Sequence, residues 1–518
     1  MKRADRFRFF FRQGCVRIPY ICAKSGKPLN SFKKLVGDTA IYGVSSIVGR
    51  FLNWWLVPYY SHIFRTAEYG IVTHLYAYMA FLLVLLTYGM ETGYFRFASE
   101  HKDKELVYSN SLISLFGTSV AFLLSVYAFT DVLAGWMDYE SHPEYIRWIG
   151  WIMAFDAFTS IPFARLRIES KAIKFAVMKL VNIFATIFFN IFFLTLCPLL
   201  LKNNPAHPVG IIYNESIGVG YVFISNLIAS ALTFILLIPD LKVKLRLDRR
   251  LLKEMIWYSF PILIVGIAGM INQNIDKILI PKLLRPEQQP MEQLGIYGAN
   301  YKLAVLMNMF IQAFRYAFEP FFFSQVKSEN NKAGYALILK YFTLFGLIIF
   351  LGISLYLDLF KSLNVIDEDY YSGLKVVPLV LMANLFLGIY YTLSLWYKLT
   401  DKTRYGAYFA ITGSVISLVI NIVFIPVYGY MASAWAVLIC FVVMTVLSYI
   451  VGQKHYPVNY PLGRIVFYFV LALALYAVSL MVKTEQEWLN HLISTVLLIS
   501  FLIACYVLEN KEFRKFLH

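Results

Sequence analysis

The stretch from Gly298 to Phe323, GANYKLAVLMNMFIQAFRYAFEPFFF, predicts an apolar helix that carries charged side chains at membrane depth. Five polar residues on it lie seven, four, three and four positions apart, and they are Tyr301, Asn308, Gln312, Arg315 and Glu319. This spacing places them on one helical face. A charge at the bilayer centre costs roughly 2.5–3.5 kcal/mol on insertion scales, so such residues face a protein interior or a watery cavity. We expect Arg315 to face a cavity, whereas Glu319 either does the same or pairs with Arg315.

The whole chain has the composition of a polytopic membrane protein. Of its 518 residues, 59% are hydrophobic, and apolar runs recur at lengths that can cross a bilayer. The net charge of +16 could indicate nucleic acid, but the Lys and Arg residues lie in short loops between the apolar runs. That distribution reports membrane topology, so we predict no nucleic-acid partner.

The cysteines indicate neither a disulfide framework nor a metal site. They are scattered, and they form no CxxC motif and have no His at ligand spacing. They are Cys15, Cys22, Cys197, Cys440 and Cys505. The longest predicted outer loops have only on the order of 15 to 20 residues, which is close to ordinary connections. We therefore predict no extramembrane active site, no cofactor and no enzymatic activity.

Fourteen stretches qualify as membrane-spanning helices, and we number them spans 1 to 14. Their predicted centres lie near residues 50, 82, 119, 155, 187, 228, 268, 310, 349, 385, 416, 441, 472 and 499. Alternate loops are rich in Lys and Arg, whereas the loops between them are poor in basic residues and often acidic, as at 367–369. Because basic loops stay inside, both chain ends are predicted to be cytoplasmic.

Residues 1–35 form a basic segment ahead of span 1. No apolar core of signal-peptide length follows its basic residues, so we do not expect it to be a cleaved export signal. It either lies on anionic lipid or is a loosely ordered tail.

The chain contains an internal repeat, whose halves we call copy 1 and copy 2. EYGIVTHLYAYMAFLLVLLTYGMETGYF, starting at Glu68, aligns with IYGANYKLAVLMNMFIQAFRYAFEPFFF, starting at Ile296, and pairs Glu91 with Glu319. YGVSSIVGRFLNWWLVP aligns with VGIAGMINQNIDKILIP. Further pairs are Arg50 with Gln273, Asn53 with Asp276, Leu115-Phe116-Gly117 with Leu344-Phe345-Gly346, and Asn190-Ile191 with Asn421-Ile422. Repeats of this kind are typical of transporters.

The repeat predicts an all-α membrane protein with two six-helix lobes. Six spans per copy is an even number, so both copies enter the membrane in the same direction, related by an axis along its normal. The N-lobe covers 36–240 and the C-lobe 254–453, joined by a basic cytoplasmic linker at 241–253. Spans 13 and 14, at 462–508, form an added helix pair, and 509–518 is a cytoplasmic tail.

Polar stripes run along the first two spans of each copy. Besides the residues of span 8 they comprise Tyr42, Ser46, Arg50 and Asn53 in span 1, Thr87, Glu91 and Tyr94 in span 2, and Asn272, Gln273, Asp276 and Lys277 in span 7. These four helices could line one cavity. The alternative is local pairing, as of Asp276 with Lys277 or of Glu91 with Arg96, but stripes on four equivalent helices favour the cavity.

Other polar residues in the spans have simpler interpretations. Arg96 and Lys302 lie near helix ends, where we expect them to snorkel to the interface. For Asp156 in span 4 and Lys179 in span 5 we expect local pairing or snorkelling. Pro261 is placed in the first turn of span 7, where proline is tolerated, and it could allow bending during gating.

The opening GDTAIYGVSSIVGRFLNWWLVPYYSHIFRTAEYGIV, the repeat and the fourteen-span plan resemble the polysaccharide-transport branch of the multidrug/oligosaccharidyl-lipid/polysaccharide exporter superfamily. The resemblance covers roughly residues 35 to 510. It implies a V-shaped pair of lobes that flips a polyprenyl-diphosphate-linked oligosaccharide, such as an O-antigen or capsule unit, across the bacterial inner membrane. It also implies lipid and glycan-export machinery as partners, a monomer, and coupling to a proton or sodium gradient.

By place in the fold, the resemblance assigns the diphosphate to Arg50 and Arg315, whose forked donors match phosphate oxygens. Further predicted substrate contacts are Gln273, Gln312, Asn308 and Lys277. Predicted coupling or gating residues are Glu91, Glu319, Asp276 and Pro261, the acids being a departure from a purely cationic cavity.

Three alternatives remain open. A multidrug or cation exporter of the same superfamily would bind through cavity acids rather than arginines. A lipid II flippase would share the chemistry proposed above. A membrane polysaccharide polymerase would need a large outer loop or an acidic motif at the membrane edge, for which 367–369 is the one candidate.

Overall fold

The protein is built of α-helices, here described from a computed structural model. The structure describes residues 28–324, 331–400 and 402–517, and within these ranges it describes the side chains outside 28–42, 44–46, 316–331 and 511–517. No β-strand occurs in the described ranges. The all-α prediction is confirmed, whereas most of the basic segment 1–35 lies outside the described residues.

Each of the fourteen predicted span centres falls within a helix. The helices before the linker are Pro28–Ile63, Thr66–Thr87, Met90–Glu100, Lys104–Ala128, Thr130–Met137, Pro143–Ile168, Ala172–Ile191, Cys197–Asn203 and Gly220–Leu237, with a π-helical stretch at Phe192–Leu196. The helices after it are Arg249–Leu283, Pro290–Leu303, Val305–Ser324, Asn331–Ser354, Leu357–Ser362, Val376–Leu393, Leu395–Leu399, Arg404–Tyr428, Tyr430–His455, Leu462–Met481 and Glu487–Leu517.

Eleven helical segments among the described residues are long and apolar enough to cross a membrane, which makes this a multi-pass membrane protein. The helices at spans 1, 4 and 8 are not among the eleven. Span 4, at Pro143–Ile168, includes charged residues such as Arg147 and Asp156. The total of fourteen spans therefore stays a prediction.

Helix starts follow from local chemistry. Asp103 precedes Lys104–Ala128, and its Oδ1 accepts the Leu106 amide N–H at 3.0 Å, which satisfies one of the free donors of the first turn. That hydrogen bond is also the main reason why the pKa of Asp103 is lowered. Proline begins Pro143–Ile168 and Pro290–Leu303, where its missing N–H removes no helical hydrogen bond.

The chain divides into two compact units. The first contains the chain up to Leu56 and Glu68–Ile278, and the second contains Val57–Ala67 and the chain from Leu279 onward. The first unit therefore holds most of helix Arg249–Leu283. Its core includes Met255 of that helix beside residues of spans 2 and 3 such as Met90. The predicted lobe boundaries stay a prediction.

The basic linker is held against the start of span 3. Ser109 Oγ accepts the Arg246 amide N–H at 2.6 Å and donates to the Arg246 carbonyl at 2.8 Å. Asn110 acts in the same way on Asp248, accepting from its N–H at 2.9 Å and donating to its carbonyl at 3.2 Å. Two short side chains thus give this extended segment the backbone partners that it would otherwise lack.

Paired residues of the repeat have matching environments. Asn190 and Asn421 are both fully buried. Each donates its side-chain N–H to the carbonyl four residues earlier, Thr186 and Ser417 respectively, and both distances are 2.7 Å. The same residue in the same position of each copy performs the same local task.

Spans 13 and 14 attach to copy 2 through a buried ionic group that we call the Glu509 cluster. Glu509 Oε2 accepts from Lys340 Nζ at 2.5 Å and from Tyr341 OH at 3.0 Å. Glu509 Oε1 accepts from Tyr468 OH at 2.6 Å. The helix that carries Glu509 continues to Leu517, so the predicted tail 509–518 is helical as far as it is described.

Candidate functional site

Span 2 is broken within its predicted polar stripe of Thr87, Glu91 and Tyr94. Thr66–Thr87 ends before Tyr88 and Gly89, which have φ angles of 36° and 74°, and Met90–Glu100 follows. Glycine adopts this left-handed conformation without steric cost, whereas tyrosine rarely does. Tyr88 OH and Ser114 Oγ, on span 3, are 2.5 Å apart and hold the tyrosine in place. The break therefore divides the predicted stripe, with Thr87 before it and Glu91 and Tyr94 after it.

Glu91 lies immediately after the break. Its Oε1 accepts from Arg167 Nη1, on span 4, at 2.9 Å, and both side chains are a little under half exposed. Arg96, which the local-pairing alternative joined to Glu91, is instead 3.6 Å from Glu100 and stacks over the Tyr258 ring at 4.4 Å. The sequence analysis offered Arg96 only as an alternative partner of Glu91, and the structure pairs Glu91 with Arg167 instead. Arg167 carried no signal beyond its place in a basic loop.

Spans 2 and 7 approach each other closely at glycines. A Cβ added to Gly89 would lie 2.9 Å from the Ser259 carbonyl oxygen, and one added to Gly93 would lie 2.6 Å from Ser259 Oγ. A Cβ at Gly266 would lie 2.9 Å from Val84 Cγ1. Small residues at these positions allow the two backbones to pack side by side, as is common between membrane helices.

Pro261 lies in this contact region, but not in the first turn of its helix as predicted. The helix begins at Arg249, twelve residues earlier, because the basic stretch that was assigned to the linker already forms its first turns. Pro261 thus stands in the helix interior, with no N–H to donate to the carbonyl four residues before it. Its side chain is exposed.

Further along the same helix, Asp276 and Lys277 are buried together. Asp276 is 1% exposed and Lys277 is 8% exposed. Lys277 Nζ is 3.2 Å from Asp276 Oδ1 and donates to the Gln273 carbonyl at 2.8 Å. The local pairing that the sequence left open as an alternative is therefore present. The structure brings three predicted site residues together here, with the two charges opposing each other.

Arg315, on helix Val305–Ser324, is the cation of the second unit that the sequence predicted to bind substrate. Its guanidinium lies 4.7 Å from the centre of the Tyr391 ring, on span 10. Asn308 and Gln312 occupy the same helix and are half-buried, whereas the side chain of Glu319 lies outside the described residues. The apolar surroundings of Tyr391 gave no sequence signal for this stacking.

Span 8 is also interrupted, at Ala304 between Pro290–Leu303 and Val305–Ser324. The prediction of one helix from Gly298 to Phe323 is wrong at that residue. Asn384, buried on span 10, points its side-chain N–H at the Ala304 carbonyl at 3.5 Å. Lys302, just before the interruption, is half-buried.

Span 1 presents Arg50 and Asn53 as exposed side chains, whereas those of Tyr42 and Ser46 lie outside the described set. Asp156 in span 4 accepts from Ser230 Oγ at 2.8 Å, and Lys179 Nζ lies 4.0 Å from the centre of the Phe163 ring. Each of these residues thus has a partner on another span, Asp156 on span 6 and Lys179 on span 4.

The predicted site residues are thus divided between the two units. Arg50, Glu91, Pro261, Gln273, Asp276 and Lys277 belong to the first unit, and Asn308, Gln312 and Arg315 to the second. Convergence of the four striped spans on one cavity stays a prediction. Among the described residues, no group of three His, Cys, Asp or Glu side chains could hold a metal ion.

Comparison with known proteins identifies a family for this chain. A family model described as "Polysaccharide biosynthesis protein" matches residues 35–326, more than half of the chain. A search of curated proteins returns no match.

Solved structures with a similar fold exist at low sequence identity. One is described as "Lipid II flippase MurJ, inward closed conformation", with a TM-score of 0.67 and 14% identity, covering 90% of this chain and 99% of that one. Another is an inward-facing multidrug resistance MATE family transporter of the MOP superfamily, with a TM-score of 0.61 and 12% identity, covering 80% and 94%. A third is the MATE multidrug transporter DinF-BH in complex with R6G, with a TM-score of 0.57 and 15% identity, covering 82% and 95%.

These comparisons confirm the resemblance to the exporter superfamily. The neighbours are a flippase and two transporters rather than enzymes.

Proposed function

Since the chain belongs to the polysaccharide biosynthesis protein family, we propose that it flips a polyprenyl-diphosphate-linked oligosaccharide across the bacterial inner membrane. The cargo would be an O-antigen, capsule or exopolysaccharide repeat unit, moved from the cytoplasmic to the periplasmic leaflet by alternating access. The family match carries this proposal, because a transporter fold alone is compatible with drugs, lipids or glycans. Both chain ends would be cytoplasmic, and the protein would act as a monomer beside glycan-polymerising and export machinery.

The arginines suit the head group. A diphosphate that crosses lipid needs its charge compensated, and guanidinium groups donate paired hydrogen bonds to phosphate oxygens. Arg50 is exposed on span 1, and Arg315 is oriented by the Tyr391 ring. A cation held over an aromatic face keeps its edge N–H groups directed away from the ring. In the proposal these two residues bind the diphosphate, with Asn308 and Gln312 contacting the sugars.

The acids would serve coupling rather than binding. Glu91 already neutralises Arg167 at 2.9 Å, so protonation of Glu91 would release a cation near the break in span 2. Asp276 and Lys277 oppose each other's charge, and we assign them a part in gating together with Pro261 and Glu319. A proton gradient would act through Glu91 in this scheme. Replacing Glu91 with Gln should therefore make transport rates insensitive to the proton gradient in reconstituted vesicles.

A multidrug exporter is the second candidate. The fold likeness to MATE transporters favours it, and the buried acid Asp276 is the kind of residue that would bind a cation. The adjacent Lys277 counts against this role, because its ammonium group already opposes the carboxylate at 3.2 Å.

The test is glycan surface display in a deletion strain complemented with wild type or with Arg50→Ala/Arg315→Ala, with lipid-linked intermediates quantified in the same cells. We expect the double variant to lose display and to accumulate the cytoplasmic-leaflet intermediate. Arg147→Ala is the matched control, because Arg147 is an exposed arginine 5.9 Å from the centre of the Tyr127 ring and lies outside the four striped spans.

Two other outcomes would separate the candidates. Normal display and normal intermediates in the deletion strain itself, with no second flippase gene present, would reject the glycan assignment. Drug sensitivity of the deletion strain that is rescued by the arginine variant but not by Asp276→Asn would instead establish the exporter.

A further inference from the structure

A cavity of about 430 Å³ lies within the second unit, where spans 9, 13 and 14 meet. We call it the hairpin cavity. Its walls come from the last residues of Asn331–Ser354 and Leu462–Met481, from the start of Glu487–Leu517, and from the short helix Leu357–Ser362. Three helices long enough to cross a membrane reach the same end here, so we expect the cavity at the depth of the membrane interface, on the side that the charge distribution predicts to be outside.

The cavity is basic. Three lysines line it, Lys361, Lys375 and Lys483, against one acid, Asp358. Asp358 binds two of them, with Oδ1 3.0 Å from Lys361 Nζ and Oδ2 2.7 Å from Lys483 Nζ. One carboxylate therefore holds two ammonium groups side by side. Each ammonium has three donor hydrogens, so both can bind a further anion while keeping Asp358.

The third lysine is held differently. Lys375 Nζ lies 5.5 Å from the centre of the Tyr430 ring. Asp358, the one acid in the cavity lining, is already paired with Lys361 and Lys483. The rest of the lining mixes apolar side chains such as Leu480 with the hydroxyl groups of Ser372 and Ser479. A site with separate basic, hydroxyl and apolar parts matches a ligand with a phosphate, a polar head and acyl chains.

We propose that the hairpin cavity binds the phosphate head group of an anionic membrane lipid. The location, the net charge and the mixed lining lead to this ligand class, since lipid phosphates lie at both membrane interfaces and ammonium groups form charge-assisted hydrogen bonds with phosphate oxygens. The proposal does not depend on the glycan function. Two lipids share this chemistry, namely a bulk anionic phospholipid and a polyprenyl diphosphate.

The experiment is native mass spectrometry of the full-length protein in detergent, titrated separately with phosphatidylglycerol, phosphatidylcholine and undecaprenyl diphosphate. The test variant is Lys361→Gln/Lys375→Gln, which leaves the Lys483–Asp358 pair intact. A basic residue near an anionic surface contributes about a factor of five, so two should weaken binding of the anionic lipid about 25-fold. The control Lys202→Gln/Lys282→Gln removes two exposed lysines outside the cavity and should change binding less than twofold.

The separate titrations also distinguish a bulk anionic phospholipid from a polyprenyl diphosphate. Lysine-dependent binding of phosphatidylglycerol would assign the site to bulk lipid, and lysine-dependent binding of undecaprenyl diphosphate alone would assign it to the carrier lipid. Lys361→Arg/Lys375→Arg should restore the affinity and would show that the loss is not misfolding. Equal binding of the anionic lipids to the wild type and to the glutamine variant, or equal binding of phosphatidylcholine, would overturn the proposal.

Discussion

Spans 2 and 8 occupy the same place in the two copies, yet they break at different residues. Span 2 breaks at Tyr88 and Gly89, whereas the equivalent pair in span 8, Tyr316 and Ala317, lies inside the continuous helix Val305–Ser324. The tyrosine is common to both, so we attribute the difference to the residue after it, Gly89 or Ala317. Glycine tolerates the left-handed conformation, and alanine favours the helix. At this aligned position the two copies thus differ by one methyl group, and only the copy with glycine leaves the helix.

The copies differ again where spans 13 and 14 attach. Leu344-Phe345-Gly346 corresponds to Leu115-Phe116-Gly117, and both leucines are buried while both phenylalanines are exposed. Four residues earlier, copy 2 has Lys340 and copy 1 has Ser111. Lys340 binds Glu509 of the added helix pair, and Ser111 bonds only within its own helix, to the Val107 carbonyl. The added helices have therefore left a buried charge in one copy alone.

The largest change in stability is expected when Glu509, the partner of the buried Lys340, is removed. Glu509→Ala would leave the Lys340 ammonium, which is 2% exposed, without its carboxylate, and breaking a buried ion pair costs about 3–5 kcal/mol. We expect a loss of this size in the free energy of unfolding, measured by denaturant titration in mixed micelles.

Ser111→Ala in copy 1 is the matched control. It removes one hydrogen bond within a helix and should cost about 1 kcal/mol or less. Lys340→Ser combined with Glu509→Ala should recover part of the loss, because no charge is then left buried without its partner. If the destabilisation by Lys340→Ser alone and that by Glu509→Ala alone simply add up in the double variant, the pair is not coupled. That result would remove this contrast between the copies.

The next largest change in stability is expected at Gly346 and Gly117, which are equivalent in the two copies. A Cβ added to Gly346 would lie against Leu385 Cδ1, whereas one added to Gly117 would meet no atom within 4 Å. Overpacking of this kind costs about 1–3 kcal/mol, so Gly346→Ala should destabilise copy 2. Gly117→Ala should stabilise copy 1 by about 0.5–1 kcal/mol, since alanine is the better helix former. Thermal unfolding of the two variants in one detergent measures both signs, and equal shifts would contradict the comparison.

A smaller effect is expected from making span 2 resemble span 8. Gly89→Ala forces a side chain onto a residue with φ of 74°, which costs about 1–2 kcal/mol if the break persists. The nearby Ser259 carbonyl leaves little room for the new methyl group. We expect a lower melting temperature and reduced transport. A variant of unchanged stability would show that span 2 can straighten without penalty, and that the break depends on something other than Gly89.

The sequence predicted the positions of the helices well and the side-chain contacts between different spans poorly. The length of the apolar runs located a helix at each of the fourteen predicted centres, because such runs have few alternatives in a bilayer. The matching register of the copies also identified Asn190 and Asn421, whose hydrogen bonds are local. The Glu509 cluster was not predicted, since Lys340 and Glu509 lie 169 positions apart and Lys340 resembles any other basic residue near a helix end.

The breaks in spans 2 and 8 were missed for a related reason. The length of an apolar run carries no information about a local change of backbone conformation, and Gly89 differs from many helical glycines only in its neighbours. The repeat pairs Gly89 with Ala317, but this pairing alone does not show which of the two residues leaves the helix. The partners of Glu91 and Arg315, which are Arg167 and Tyr391, come from other spans, and no spacing rule connects them.

The smallest change in stability is expected at Asp358, which follows span 9. We compare it with Asp131, which follows the equivalent span 3. Partial burial raises the pKa of Asp358, but its bonds to Lys483 and Lys361 outweigh burial, so that the pKa is lowered overall. A carboxyl group whose pKa is depressed on folding stabilises the protein above its unfolded pKa, near 4, and loses that contribution as the pH falls through the folded value. Asp131, after span 3, is exposed in the short helix Thr130–Met137.

Asp358→Asn should therefore lower the melting temperature at pH 7 by the equivalent of about 1 kcal/mol or less, as for other partly exposed ion pairs. The difference from wild type should shrink as the pH falls below about 4. Asp131→Asn should leave the melting temperature unchanged across the same range. Because both acids follow equivalent spans, a pH-dependent difference at Asp358 alone would place this acid-sensitive contact in copy 2, where Lys483 of the added helices reaches it. The same dependence at Asp131 would mean that the added helices are not its source.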